Sequence, residues 1–283
     1  MERKRVSYIQ TARGLVPVYA KGVVEQIWDS YSETDHATWS QLLNQIKPAL
    51  AGRACSSYLK HLHQLNFDQF IPRFTDINAQ LAEKTGWKIV AVDGLLSDAD
   101  FFTHLAHRQF PVSWWIRSQH QMDYLPEPDL FHDLVGHVPM LFEPQYAQAV
   151  ELFGKKALSL LRIDPPLVLP LARLYWFTVE FGLIQEKHHT RIMGAGILSS
   201  KGESEFSLDP STPRQILDIE KAIRSDYRID QYQDSYFVAK SLEQVFQAID
   251  SMTAKHCREA LQHPDPVDYW DEQRLNHRLG MRL

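Results

Sequence analysis

The sequence predicts a mostly helical α+β fold, built as one domain with a small β part. Three observations carry that reading. Apolar residues recur at helical spacing behind side chains that can cap a first turn, two short β-branched runs stand between such segments, and no linker, internal repeat or low-complexity run divides the 283 residues. The composition agrees, with 44% hydrophobic and 23% charged residues. A chain of this length buries roughly 75% of its unfolded surface and needs no disulfide or structural metal to fold.

Taken in order, Ser32, Thr75, Ser97 and Ser241 each offer a side-chain oxygen to an orphan N–H of a first helical turn. Thr75 opens a segment holding Ile77 and Leu81 that ends near Gly86. Trp87-Lys-Ile-Val-Ala-Val92 is short, β-branched and stopped by Asp93-Gly94, and reads as a strand; Ser235-Tyr-Phe-Val238 is a second. Residues 171–184 form a helix that is apolar almost all round. Residues 191–208 alternate weakly around Gly194 and Gly196, which predicts a bent strand pair. Ser241-x-x-Gln244 has the form of a capping box ahead of Val245, Phe246 and Ile249. The polar stretch 264–283, behind Pro264 and Pro266, is expected at the periphery of the single domain 1–283.

Several function classes are excluded. With 30 Lys+Arg against 35 Asp+Glu and no basic stripe, nothing here would neutralise a run of phosphates, so nucleic acid is not an expected partner. No stretch of about 18 apolar residues exists, and the basic start Met1–Arg5 leads into Tyr8, Gln10 and Arg13, so neither a membrane span nor a secretory signal is expected. Cys55 and Cys257, 202 positions apart, fit a reducing compartment and leave any metal to histidine and carboxylate. The expectation is a cytoplasmic monomer.

The chemistry concentrates in Pro126-Glu-Pro-Asp-Leu-Phe-His132-Asp-Leu-Val-Gly-His137-Val-Pro139. Positions five apart fall about 140° apart on a straight α-helix, so His132 and His137 can share a ligand only if the helix is distorted. Gly136 weakens the helix, and Pro139 lacks the N–H that would bond toward Val135. Downstream, Glu180 stands between Val179 and Phe181 in an apolar helix, where an unpaired carboxylate is costly. It either pairs with Arg173 or another arginine, or it is a third ligand. Two imidazoles and one carboxylate make the facial triad of non-haem Fe(II) oxygenases, with three positions left open; zinc accepts the same set.

Three segments, Glu127-Pro-Asp-x-x-His-Asp-x-x-Gly-His-Val-Pro139, Tyr175-Trp-Phe-Thr-Val-Glu-Phe-Gly-Leu183 and Gly194-Ala-Gly-Ile-Leu-Ser-Ser200, resemble the pterin-dependent aromatic amino acid hydroxylases, and most of all their bacterial phenylalanine-hydroxylating members. The resemblance runs from about residue 92 to about residue 246. It implies a single catalytic domain of that type, with Fe(II) held by His132, His137 and Glu180. It also implies a tetrahydropterin, tetrahydrobiopterin or a related pterin, as two-electron donor, and hydroxylation of L-phenylalanine to L-tyrosine with O2. The pterin would meet a wall of Gly94, Leu95, Leu96 and Ser97 and stack on Phe101, with Asp133, Ala172 and Tyr175 at its border. By residue pattern alone Phe101, beside Phe102 and Leu105, reads equally well as core.

For the substrate, the resemblance implies Arg117 at the carboxylate, where a planar guanidinium donates in pairs. It places Leu125, Pro128, Trp176 and Phe181 around the amino acid and Ser199 and Asp129 near the substrate or behind the ligands. Tryptophan hydroxylases usually carry Phe at the position of Trp176, and tyrosine hydroxylases Asp near Val238, so phenylalanine is expected over both. Asp133, Leu125 and Met193 depart from the animal enzymes, and Met193 bears on the shape of the substrate pocket. The rival readings are a tryptophan hydroxylase, a zinc hydrolase on the same triad, and a relative that binds pterin or amino acid without turnover. Neither a regulatory domain before residue 85 nor coiled-coil heptads after residue 263 are expected.

Overall fold

The computed structural model describes residues 5–11, 14–19, 22–122, 125, 127–227, 229 and 231–263, the first two stretches as backbone alone. A hairpin of β1 (Arg5–Thr11) and β2 (Gly14–Tyr19) precedes α1 (Glu33–Leu50). Ser32 caps α1 by accepting the Asp35 N–H, and the Asp35 carboxylate accepts the Ser32 N–H at 2.8 Å, a complete capping box. After α2 (Ser56–Leu65) comes α3 (Phe74–Lys84), which begins one residue before Thr75. Arg73 stands at its N-cap without a side-chain bond, and the Thr75 hydroxyl turns to Asp76 instead, so Thr75 is no cap. Strand β3 (Lys88–Val92) then pairs in parallel with β4 (Gln109–Ser113), and α4 (Asp98–Ala106), capped by Ser97 as the sequence predicts, crosses between them.

From residue 132 the helices depart from α geometry twice. A π-helix, His132–His137, runs directly into α5 (Val138–Leu141); α6 (Pro144–Ile163) and α7 (Val168–Tyr175) follow, and α7 continues as a second π-helix, Trp176–Glu180. The chain then builds a four-stranded sheet of β5 (Leu183–Glu186), β6 (His189–Ile192), β7 (Arg214–Ile216) and β8 (Tyr236–Ala239) in the order β6-β5-β8-β7. Between β6 and β7 lie α8 (Ala195–Leu198) and α9 (Lys201–Phe206), so the strand pair expected over 191–208 is helical beyond Ile192. Gly196 is there for close approach: a Cβ would stand 2.5 Å from the Phe181 ring. The alternation marked a packing contact and not a bulge.

Helix α10 (Ile219–Arg224) precedes β8, and α11 (Leu242–Ser251) and α12 (Ala254–Gln262) complete the described chain. Ser241 caps α11 through the Gln244 N–H, but the Gln244 side chain reaches the N–H of Lys240, one residue short of a capping box. Helices α4 and α11 lie against α6, and buried apolar side chains from Val24 to Ala260 form one continuous core. Among the described residues no helix is long and apolar enough to cross a membrane. The polar stretch 264–283 lies outside the described residues.

Candidate active site

The His-containing segment is held by the end of β4. Ser113 donates its N–H to the Asp133 carboxylate at 2.7 Å and its hydroxyl to the Pro128 carbonyl at 2.9 Å, while the Leu130 N–H reaches the Trp115 carbonyl. Asp129, fully buried, then accepts the His132 N–H at 3.0 Å and starts the helix. From there the π geometry answers the spacing problem, because bonds running from residue i to i+5 stack His132 and His137 on one face. Three residues account for it, one of them distant in sequence. Pro139 leaves the Val135 carbonyl unclaimed, and the buried Tyr58 hydroxyl takes it at 2.8 Å; Gly136 lets α8 approach, since a Cβ there would lie 2.7 Å from the Ala195 carbonyl. In the second π-helix the Thr178 hydroxyl bonds back to the Leu174 carbonyl at 2.6 Å, and the Phe181 N–H bonds five residues back to Trp176.

These two distorted turns bring three donors together. His132 Nε2 and His137 Nε2 are 3.3 Å apart, and the Glu180 carboxylate lies 3.2 Å from the latter and 3.6 Å from the former. Glu180 therefore meets the histidines and not Arg173, whose Nη1 bonds the Ile223 carbonyl. The Ser199 hydroxyl stands 2.9 Å from both the Ala195 carbonyl and His132 Nδ1. A carbonyl only accepts, so the hydroxyl proton goes to Ala195, His132 Nδ1 carries a hydrogen toward Ser199, and Nε2 is left bare. Burial, reinforced by His137, pushes the His132 pKa down to about 4 against the pull of Glu180, which keeps the imidazole neutral. Burial would raise Glu180, but His137 and then His132 outweigh it and hold the carboxyl below its usual range. Three facing donors with at most one proton among them are satisfied by a shared cation, and two imidazoles with one carboxylate suit Fe(II).

Asp133 is a second carboxylate near the pair, with ligand atoms of Asp133, His132 and His137 all within 4.8 Å of one another. Glu180 is the better third donor. One Asp133 oxygen is taken by the Ser113 N–H, and burial pushes its pKa up to about 7, whereas the two Glu180 oxygens face His132 Nε2 and His137 Nε2.

The donors form the floor of a cavity of about 1060 Å³, with His132 and Glu180 in its wall and His137 beneath. The wall includes Gly94, Leu95 and Leu96 after β3, Phe101 of α4, and Asp133, Ala172 and Tyr175. Phe101 meets Tyr175 edge-on at 5.4 Å, so it is both cavity wall and core rim. Ser97 is not in the wall; its hydroxyl caps α4 and bonds Asp100. The backbone at Gly94 and the apolar rings of Phe101 and Tyr175 suit a flat heterocycle such as a pterin. The same wall also carries Arg117, Leu125, Pro128, Trp176, Phe181 and Ser199.

Arg117 is 8% exposed, and its Nε and Nη2 both bond Asp129 at 2.9 Å, with Nη1 on the Met122 carbonyl at 3.3 Å. Among the described residues two of its five N–H donors are left over, so Asp129, itself outside the wall, spends the inner fork and fixes where the outer N–H groups point. Met193 and Val238 are buried and absent from the wall, Val238 lying in β8 opposite Leu183, so neither shapes the cavity directly. The reason for phenylalanine over tyrosine drawn from Val238 is withdrawn. The far wall, Lys201, Glu203, Tyr227 and Gln233 among its residues, was not foreseen; Ser200-x-x-Glu203, a capping spacing, was the one local signal for part of it.

The model of the biopterin-dependent aromatic amino acid hydroxylases matches residues 18–269. The chain belongs to that family. The phenylalanine-4-hydroxylase of Chromobacterium violaceum is 49% identical over 227 residues, 78% of this chain and 74% of that one. A solved structure of the same bacterial enzyme with iron and phenylalanine bound superposes with a TM-score of 0.81 at 42% identity, covering 88% of this hydroxylase and 92% of that chain. Another, with iron(III) and the oxidised cofactor 7,8-dihydrobiopterin, gives 0.79 at 43% identity over 92% and 93% of the two chains.

Proposed function

We infer that this hydroxylase converts L-phenylalanine to L-tyrosine with O2, an Fe(II) on His132, His137 and Glu180, and a tetrahydropterin as the electron donor. The observation that carries the reading is the convergence of three donors within 3.2–3.6 Å at a cavity whose wall holds Phe101, Tyr175, Trp176, Phe181 and Arg117. When bound, iron and pterin supply the activation of O2 and the electrons for ring hydroxylation. The chain supplies position. Ser199 sets the tautomer of His132, Leu95, Leu96 and Phe101 receive the pterin with Ala172 and Tyr175, and the outer N–H groups of Arg117 take the substrate carboxylate. Pro128, Trp176, Phe181 and Leu125 surround the aromatic ring and exclude water from the reacting face.

The whole chain acts as one catalytic domain, a reading supported by its continuous core, and it works as a monomer in the cytoplasm, where two buried free thiols are at home. The test is tyrosine formation by Fe(II)-loaded protein given phenylalanine and O2 with either tetrahydrobiopterin or 2-oxoglutarate, a cosubstrate used by other enzymes with a similar triad. Product with the pterin alone is expected. Product with 2-oxoglutarate alone would overturn the reading.

A further inference from the structure

A cavity of about 1060 Å³ exceeds the size of a single-ligand pocket, so its volume cannot separate a benzene ring from an indole. Selection has to come from how firmly the wall around the ring is held. Trp176 is the largest flat side chain in the wall, and its indole packs against two other rings, Tyr227 stacked at 4.1 Å and 15° and Phe181 at 4.6 Å and 36°. Stacking fixes the plane of an indole more firmly than its rotation within that plane. The rotation is fixed at its edge, where Trp176 Nε1 donates to Gln233 Oε1 at 3.1 Å.

Gln233 is itself anchored. It is 3% exposed, and its backbone lies against the Glu203 carboxylate, which accepts the Tyr236 hydroxyl at 2.7 Å. Glu203 belongs to α9, and Tyr236 to β8 inside the four-stranded sheet, so a chain of polar contacts runs from the sheet to the edge of the indole. We propose that Gln233, anchored by Glu203 and Tyr236, is a specificity-determining positioning residue: it holds the Trp176 indole at the angle that admits the ring of phenylalanine and crowds that of tryptophan. The proposal rests on the assignment of Trp176 to the substrate ring made above.

Gln233→Met keeps the volume and removes the acceptor. In the iron-loaded enzyme it lowers the ratio of kcat/KM for phenylalanine over tryptophan by about 3- to 10-fold, the scale of one neutral hydrogen bond, and leaves the KM for the pterin unchanged. In a Trp176→Phe background the same substitution changes the ratio by less than about 1.5-fold, because no indole N–H is left to hold. The indole N–H resonance of Trp176, assigned by its loss in Trp176→Phe, moves in Gln233→Met. Should the methionine variant fail to fold, Gln233→Asn withdraws the acceptor by one methylene and is expected to act in the same direction. An unmoved resonance, an unchanged ratio, or an equal effect in the Trp176→Phe background overturns the proposal alone; a parent enzyme that turns over neither amino acid overturns it together with the proposed function.

Discussion

Ser199 decides which nitrogen of His132 faces the cavity, because its only proton is committed to the Ala195 carbonyl. Ser199→Ala removes that partner and frees the ring to flip, so iron affinity should fall roughly 10- to 100-fold in a chelator competition, with no comparable loss of thermal stability. Asp129 works on a different energy scale. Burial raises its pKa, but the Arg117 fork and the N–H groups of His132 and Arg117 outweigh burial, and the net direction is down. A carboxyl whose folded pKa is depressed gives stability that is present above its unfolded value, near 3.9, and is lost as the pH falls through the folded value. Asp129→Asn leaves Arg117 buried without its counter-charge and should cost about 3–5 kcal/mol at pH 7. Urea titrations should show the gap between parent and variant narrowing below about pH 4.

The two π-helices do what no α-helix could. They turn residues five apart onto one face and carry Glu180 to meet them. Gly136→Ala puts a methyl against the Ala195 carbonyl, so α8 and Ser199 with it must shift; unfolding free energy should drop by about 1–3 kcal/mol and the iron-loaded fraction should fall with it. The need for a distortion was legible in the sequence, since the His132–His137 spacing and Pro139 both demand one. Its π form was not, because it depends on a hydroxyl from Tyr58, 77 residues away, that takes the carbonyl Pro139 cannot use. Ser32, Ser97 and Ser241 were legible as caps because capping is local chemistry, while Thr75 had the right side chain two positions past the cap, Arg73. The helices α8 and α9 were hidden for the opposite reason: Gly194 and Gly196 answer to Glu180, Gly182 and Phe181 across the structure, and propensity cannot see those neighbours.

Across the whole molecule, the triad joins residues 132, 137 and 180, and the cavity above it closes with side chains from α1 to the segment before β8. That His132, His137 and Glu180 converge was readable in the chain because metal chemistry restricts such donors to few residue types. The far wall was not, since Tyr227, Gln233 and Glu203 carry no such restriction and come together only when the four-stranded sheet forms. The central claim is that this fold presents Glu180, and not the neighbouring Asp133, as the carboxylate of one iron site. Iron per chain after anaerobic loading with Fe(II) and desalting tests it most directly, in the parent, in Glu180→Ala and in Asp133→Asn. The account predicts about one iron in the parent, most of it retained in Asp133→Asn and nearly none in Glu180→Ala. Iron kept by Glu180→Ala and lost from Asp133→Asn would contradict it.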